Sequence, residues 1–318
     1  MMPRIPSFLR RRYAPPSGLD IGTHAIRLVE LSAIDQTSPQ LERHASAPLP
    51  RAAISNDGIE DLDLVCDTLQ QLWQTSGTRS RRVVIGIPAA SATTALAALD
   101  VMTDDDRQLR ALAQRHAAHL LPYSAQQACI EYRLLRTAQD KPELLIAATR
   151  KDVVEDRLAI AEALGLEVVA MEIDSYAQYA AWQRTTGHGR DQRLTGLLQI
   201  DEHGIQLSLL VAARTICLQQ PHARSPMPAD LLACAVVQLW RQALSQVGVA
   251  SHDARTEQHH LVLTSCLQPP ILNTLRQQLR LQVATPFTGM TLACGIDVPD
   301  NSMAYLSACG LAMWPATA

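Results

Sequence analysis

Leu19-Asp20-Ile21-Gly22-Thr23-His24-Ala25-Ile26-Arg27-Leu28 superposes without a gap on Leu198-Gln199-Ile200-Asp201-Glu202-His203-Gly204-Ile205-Gln206-Leu207. Both stretches read L-x-I-x-x-H-x-I-x-L. Apolar residues alternate on either side of a polar break, the pattern of two short strands joined by a tight turn with one face buried. The two copies stand at the start of each half of the chain, which suggests a duplicated unit that opens with a hairpin.

Outward from the first copy, Leu62, Val65, Leu69 and Leu72 recur at helical spacing, and Val83 to Ile87 reads as a buried strand stopped by Pro88. Thr103 followed by Asp104, Asp105 and Asp106 places a hydroxyl cap and carboxylates at a helix start running to about Leu121, with an apolar stripe of Leu109, Leu112, Ala113 and Leu120. Strands are expected at Ile130 to Leu135 and Glu143 to Thr149. Next comes a helix facing inward through Val154, Leu158, Ala161 and Leu164, with Gly165 placed as its left-handed cap. Leu166 to Ile173 returns as a strand. The polar stretch from Arg184 to Arg193 marks a boundary between halves.

The second half repeats the alternation. Strands are predicted at Leu197 to Ile200, Ile205 to Val211 and Thr215 to Leu218, then a long helix from about Ala229 to Val247. A strand at Leu261 to Thr264, a helix opened by Pro269 and Pro270, and a final helix from about Ser302 complete the series. Strands and helices alternating in both halves give an α/β class.

The chain has 318 residues, 47% of them hydrophobic, enough to bury a large core in two lobes. A formal net charge of -3 supplies no basic face for nucleic acid, so that class of partner is set aside. Seven cysteines, odd in number and without a C-x-x-C pair, read as reduced core residues of a cytosolic protein. No apolar run is long enough to span a bilayer. A basic leader over residues 1–16 carries Phe8 and Leu9 beside Arg10, Arg11 and Arg12; it could touch an anionic membrane directly or remain a solvated tail.

Two α/β halves that each begin with a D-x-G-[ST]-type hairpin resemble the actin, sugar kinase and heat-shock chaperone superfamily. There the two hairpins clasp a nucleotide's phosphates between two lobes. A more specific resemblance, to the PilM family of type IV pilus assembly proteins, covers nearly the whole chain. Gly18 to Leu31 is similar to that family's opening signature, G-[IL]-D-I-G-S-x-x-[IV]-[KR]-[LV]-V-E-L. Leu120-Leu121-Pro122-Tyr123 with Glu131-Tyr132, Leu144 to Lys151, Ala163 to Leu166, Met171 to Ala177, Pro286-Phe287 and Ala308 to Ala312 resemble later segments in the same order. The resemblance implies a two-lobed actin-like (ribonuclease H-like) fold, with a first lobe at 17–190, a second at 191–318 and a small α/β subdomain inserted at about 89–157. It also implies a cytoplasmic adaptor, peripheral at the inner membrane. Its groove between insertion and first lobe would grip the N-terminal cytoplasmic segment of a PilN-like bitopic protein. Self-association and contacts with other pilus assembly proteins, or use in a related competence or secretion machine, fall within the same expectation.

On that resemblance Asp20, Gly22, Thr23 and His24 form the residual first phosphate hairpin: glycine permits close approach, threonine donates a hydroxyl, and aspartate orders magnesium-bound water. The second hairpin departs from the pattern. Gln199 stands where an Asp belongs and Asp201 where a Gly belongs, followed by Glu202. Ser265 and Cys266 replace an adenosine-binding Gly-Gly pair. An alternative alignment, shifted by two, keeps Asp201 as the second Asp but puts His203 in the place of the Gly. The expectation is a pseudo-ATPase with no cofactor, or weakly bound ATP and magnesium. The rival is an active actin-like ATP-binding protein or a sugar-kinase-like enzyme, which would need an intact second hairpin.

Other polar clusters have plainer readings. His116 and His119, three apart on a helix, could hold a metal only together with a carboxylate; His259-His260 and His188 have no well-spaced Cys or carboxylate partners and fit a polar loop or a strand edge. Glu172 and Asp174 flank Ile173, so along a strand both carboxylates would face one side, at a salt-bridged seam.

Overall fold

The computed structural model describes residues 15–32, 39–50, 52–55, 58–99, 105–135, 142–186, 194–200, 204–211, 214–221, 228–247, 259–265, 269–279, 281–283, 286–288, 290–293 and 295–314. Residues 1–14 of the leader, Thr103, Asp104, Gly187 to Gly189, Asp201 to His203 and Cys266 lie outside these residues.

The first sheet is built from β1 (Ser17–Ile21), β2 (Ala25–Leu31), β3 (Gln40–Pro48), β4 (Arg82–Ile87) and β8 (Glu167–Ile173), in the order β3-β2-β1-β4-β8. The second holds β9 (Leu194–Ile200), β10 (Gly204–Val211), β11 (Arg214–Pro221), β12 (His259–Leu263) and β13 (Leu281–Val283), in the order β11-β10-β9-β12-β13. The two orders are the same permutation of the chain. In each, an antiparallel three-strand meander is followed by two parallel strands laid beside its first strand.

The hairpins coincide in register. Leu19 pairs with Leu28, Asp20 with Arg27 and Ile21 with Ile26; Leu198 pairs with Leu207, Gln199 with Gln206 and Ile200 with Ile205. The repeated apolar residues therefore occupy equivalent buried positions, and Gln199 is the counterpart of Asp20.

Layers follow from side-chain alternation. Helices α1 (Leu62–Ser76) and α3 (Lys151–Ala163) cover the outer face of the first sheet over Leu19, Ile21, Leu28, Val83 and Ile85. Helices α5 (Ala229–Gln246) and α6 (Pro269–Gln278) cover the outer face of the second, over Leu198, Ile205, Leu207 and Leu261. Between the sheets lie α4 (Asp174–Thr186) and α7 (Leu306–Ala312), with Trp182, Leu306 and Met313 packed against Val29 of one sheet and Leu197 and Val262 of the other. The α1 helix starts at Asp61, whose carboxylate accepts from Leu64 N at 3.0 Å, and stops at Gly77, in the left-handed region at φ 67°.

The insertion is β5 (Ala92–Ala98), α2 (Asp106–Leu120), β6 (Ala128–Leu135) and β7 (Glu143–Arg150), a three-stranded sheet in the order β5-β7-β6 with α2 on one face. Asp105 caps α2, accepting from Arg107 N at 3.0 Å; Leu120 turns out to solvent and Leu121 in.

Several expectations are corrected. The insertion closes at Arg150 rather than Arg157, because α3 packs into the first lobe's core through Ile160 and Ala161. That helix is also rotated: Leu158 is exposed, while Val153, Arg157 and Ile160 point inward. The C-terminal part of 191–318 does not stay with the second lobe. Strand β14 (Thr291–Leu292) extends the first sheet beside β3, and α7 lies against β1, β2 and β4. Residues 259–260 belong to an interior strand rather than a loop or edge, with His260 buried and its Nδ1 3.0 Å from Gln282 Nε2.

Candidate functional site

Two cavities meet at the junction of β8 and α4. The first is a cleft of about 650 Å³ between the lobes, at the hairpin tips and the C-terminal ends of β1, β4 and β9. Parallel strands end there and leave room at a change of direction, the usual place for a ligand in such sheets. The predicted residues Asp20, Gly22, Thr23 and His24 line it from the first lobe; Gln199 and Ser265 line it from the second. Among the described residues, the second-lobe wall carries amides and hydroxyls: Gln199, Gln206, Gln219, Gln220, Thr264 and Ser265. Gln219 Nε2 donates to Gln206 Oε1 at 3.0 Å.

Four of the predicted residues have a local job. Gly22 N donates to Ala25 O at 3.1 Å, closing the turn, and a Cβ at Gly22 would sit 3.3 Å from that same oxygen. Leu49 N donates to the carbonyl of His24 at 2.8 Å. Asp20 lies 3.8 Å from Arg27 across the hairpin. Ser265 Oγ accepts from Ile200 N at 2.9 Å, so the hydroxyl standing in the Gly-Gly position holds the end of β9.

Two cleft residues escaped sequence reading. Strand β8 ends at Ile173 and α4 begins at Asp174, so Glu172 and Asp174 do not share a face as expected: Asp174 lines the cleft and Glu172 the second cavity. Asp174 Oδ1 accepts from Ala89 N at 2.9 Å. Arg157, buried at 3% exposure, donates from Nε to Gly86 O and from Nη1 to Val153 O, both at 2.9 Å. Enclosure raises the Asp174 carboxyl to about 7, with nearby Asp20 adding to the rise. Burial also raises Asp20, against the pull of Arg27 and Arg157, and it lowers the Arg157 guanidinium against the pull of Asp174, Asp156 and Asp20.

The sign of the pH effect follows. A carboxyl raised from 3.8 to about 7 gives the folded state an extra proton between those values. Its stabilising contribution is complete below about 3.8 and is lost as pH rises through 7. Asp174→Asn cannot ionise, so its stability relative to the parent should increase by on the order of a few kcal/mol between pH 4 and pH 8. Urea unfolding at the two pH values checks this; an unchanged difference would contradict it.

The second cavity, about 720 Å³, is a groove between the insertion and the first lobe. Alternation in the small sheet explains it. Leu144, Ile146 and Ala148 of β7 face α2, whereas Leu145, Ala147 and Thr149 face the groove, as do Cys129, Glu131 and Arg133 of β6. This face looks toward α4 and the start of α3, with Val154 of α3 among the lining residues. The opposite wall is Met171, Glu172 and Ile173 of β8 with Tyr176, Tyr179 and Gln183 of α4. Strands β8 and β6 each end their own sheet, so two strand edges border the groove. Enclosure raises Glu172, whose Oε1 accepts from Ile173 N at 3.1 Å, and Arg133 partly offsets the rise. Among the described residues there is no His, Cys, Asp and Glu cluster that could hold a metal ion, and no helix long and apolar enough to cross a membrane.

Two sheets of one topology, with matched hairpins on either side of a cleft, make a two-lobed actin-like fold. The model of the family described as type IV pilus assembly protein PilM matches residues 18–220, more than half of the chain. The chain belongs to the PilM family. Among solved structures, a PilM-PilN type IV pilus biogenesis complex matches at a TM-score of 0.73 with 17% identity, over 94% of this chain and 97% of the other. Weaker matches, both at a TM-score of 0.47, are a Bacteroides thetaiotaomicron VPI-5482 protein with actin-like ATPase fold (12% identity, 89% of this chain and 95% of the other) and the cytoplasmic domain of EpsL, an inner membrane component of the Vibrio cholerae type II secretion system (11%, 92% of each).

Proposed function

We propose that this PilM family member is a cytoplasmic adaptor of type IV pilus assembly, which grips an extended N-terminal segment of a PilN-like membrane protein in the groove between insertion and first lobe. The groove carries this reading. It joins a cavity-lining sheet face, two strand edges and tyrosines of α4, the combination an extended peptide needs: backbone groups to pair with and pockets for alternate side chains. Likeness to a protein solved as a PilM-PilN complex supports the same partner. Binding there would hold the protein at the inner membrane. A photoactivatable residue at Tyr179 should crosslink to a peptide copied from that partner's N-terminus, while one at Met303, in the cleft, should not. Equal crosslinking at both, or crosslinking only at Met303, would contradict the assignment.

The same reading makes the interlobe cleft a degenerate nucleotide site and the protein a pseudo-ATPase. Asp20 is paired with Arg27, and Gln199 stands in for its second-lobe counterpart. The Ser265 side chain occupies the position where the family carries glycine. Calorimetry should detect magnesium-ATP weakly or not at all; a Kd of about 1 μM would mean roughly 8 kcal/mol of binding and would overturn the degenerate-site reading.

A further inference from the structure

We propose that Asp174 and Arg157 are positioning residues for the peptide groove: they fix the two roots of the insertion on the first lobe and thereby set the distance between the groove's walls. This rests on the peptide-groove reading. The insertion leaves the first lobe after β4, at Pro88 and Ala89, and returns through Arg150 into α3. At the outgoing root, Asp174 Oδ1 accepts from Ala89 N at 2.9 Å. At the returning root, Arg157 bridges Val153 O in the first turn of α3 to Gly86 O near the end of β4, both at 2.9 Å. Thr149 Oγ1 fastens one root to the other by donating to Ser91 O at 2.8 Å.

The opposite groove wall is attached to the same point. Ile173 and Tyr176 line the groove, while Asp174 and Gln178 line the cleft, so one helix start presents a different cavity on each side. Asp174 is therefore bonded to the insertion's outgoing root while starting the helix that carries the opposite wall. The groups facing it are Asp20 from β1 and Arg157 from α3, and Arg27 of β2 faces Asp20 in turn. A phosphate-site role for Asp174 would need its oxygens turned to a ligand, yet it accepts from the backbone N–H groups of Ala89 and Ser175. Apolar residues could fill the same space, but they could not hold a backbone N–H at one root and two carbonyls at the other.

The test separates geometry from charge. Asp174→Asn keeps an oxygen that accepts from Ala89 N and Asp174→Ala removes it, while Arg157→Lys keeps the charge but loses the fork that reaches two carbonyls. Two readouts are taken: hydrogen exchange over residues 89–98 and 150–157 without peptide, and the Kd for the PilN-like peptide. Losing a partner of a buried group should speed exchange and weaken peptide binding about tenfold in Asp174→Ala. Asp174→Asn should stay within about twofold of the parent. Arg157→Lys should loosen 150–157 and weaken the peptide, which decides the matter even if Asp174→Ala does not fold. The proposal is overturned if Asp174→Ala and Arg157→Lys leave both readouts unchanged, or if Asp174→Asn is as damaging as Asp174→Ala. Should the parent bind no peptide, the function assigned to the groove fails, while the exchange readout still decides whether these residues hold the insertion.

Discussion

Gly310→Ala is expected to abolish the folded state or to lower its stability by more than about 4 kcal/mol. A Cβ at this position of α7 would lie 1.9 Å from Ala177 O and 2.3 Å from Ala177 C, both backbone atoms of α4. Gly18 meets the same helix from the other side, where a Cβ would lie 1.9 Å from Ala308 O and 2.5 Å from Ala312 N. Helix α7 is thus clamped, backbone to backbone, between the first strand and the helix that carries Asp174. No side chain can yield at either contact, so α7 would have to move away and open the layer around Trp182, Leu306 and Met313. Soluble yield and urea midpoints for Gly310→Ala and Gly18→Ala measure this, with Gly22→Ala as a milder comparison because its nearest atom would be 3.3 Å away. A Gly310→Ala protein with the parent's midpoint would refute the packing described.

The second large effect is expected from Ala147→Trp. Ala147 lies on the groove-facing side of β7, with Tyr176 and Tyr179 among the residues of the facing wall. An indole there would fill the space meant for a peptide without entering the insertion's own core, which lies on the other face around Leu144, Ile146 and Ala148. Peptide affinity should fall at least a hundredfold, about 2.7 kcal/mol, with the melting temperature little changed. Unaltered affinity would mean that the peptide binds elsewhere.

The fold was legible because duplication leaves its mark in apolar phase. The L-x-I-x-x-H-x-I-x-L pattern fixed which residues of each hairpin pair, and the registers agree residue by residue. What sequence reading missed lies where tertiary context overrides local pattern. Arg157 occupies an inward position of α3 because two carbonyls await it, whereas a lone arginine in an amphipathic stretch reads as solvated. The strand is expected to end at Ile173, as β8 does, yet reading Glu172 and Asp174 as one strand face hides that Asp174 starts a helix; the N–H of Ala89, distant in sequence, gives its carboxylate a partner. Strand β5 reads A-T-T-A-L-A-A, too weakly patterned to declare itself, and it is held by pairing with β7. The most crowded glycines are not legible from local pattern either: the turn points to Gly22, but a Cβ meets its closest neighbours at Gly18 and Gly310, where elements far apart in the chain cross.

The central claim is tested most directly by titrating the purified protein into a fluorescent peptide copied from the N-terminal cytoplasmic segment of the PilN-like protein of the same organism, without nucleotide, and following anisotropy. A segment that is disordered when free loses entropy on binding, so the groove must return apolar burial and backbone hydrogen bonds. The account predicts saturable binding below about 100 μM, abolished by Ala147→Trp and unaffected by Gln199→Ala in the cleft. No saturation at that concentration with a folded protein, or binding that survives Ala147→Trp but is lost in Gln199→Ala, would contradict it.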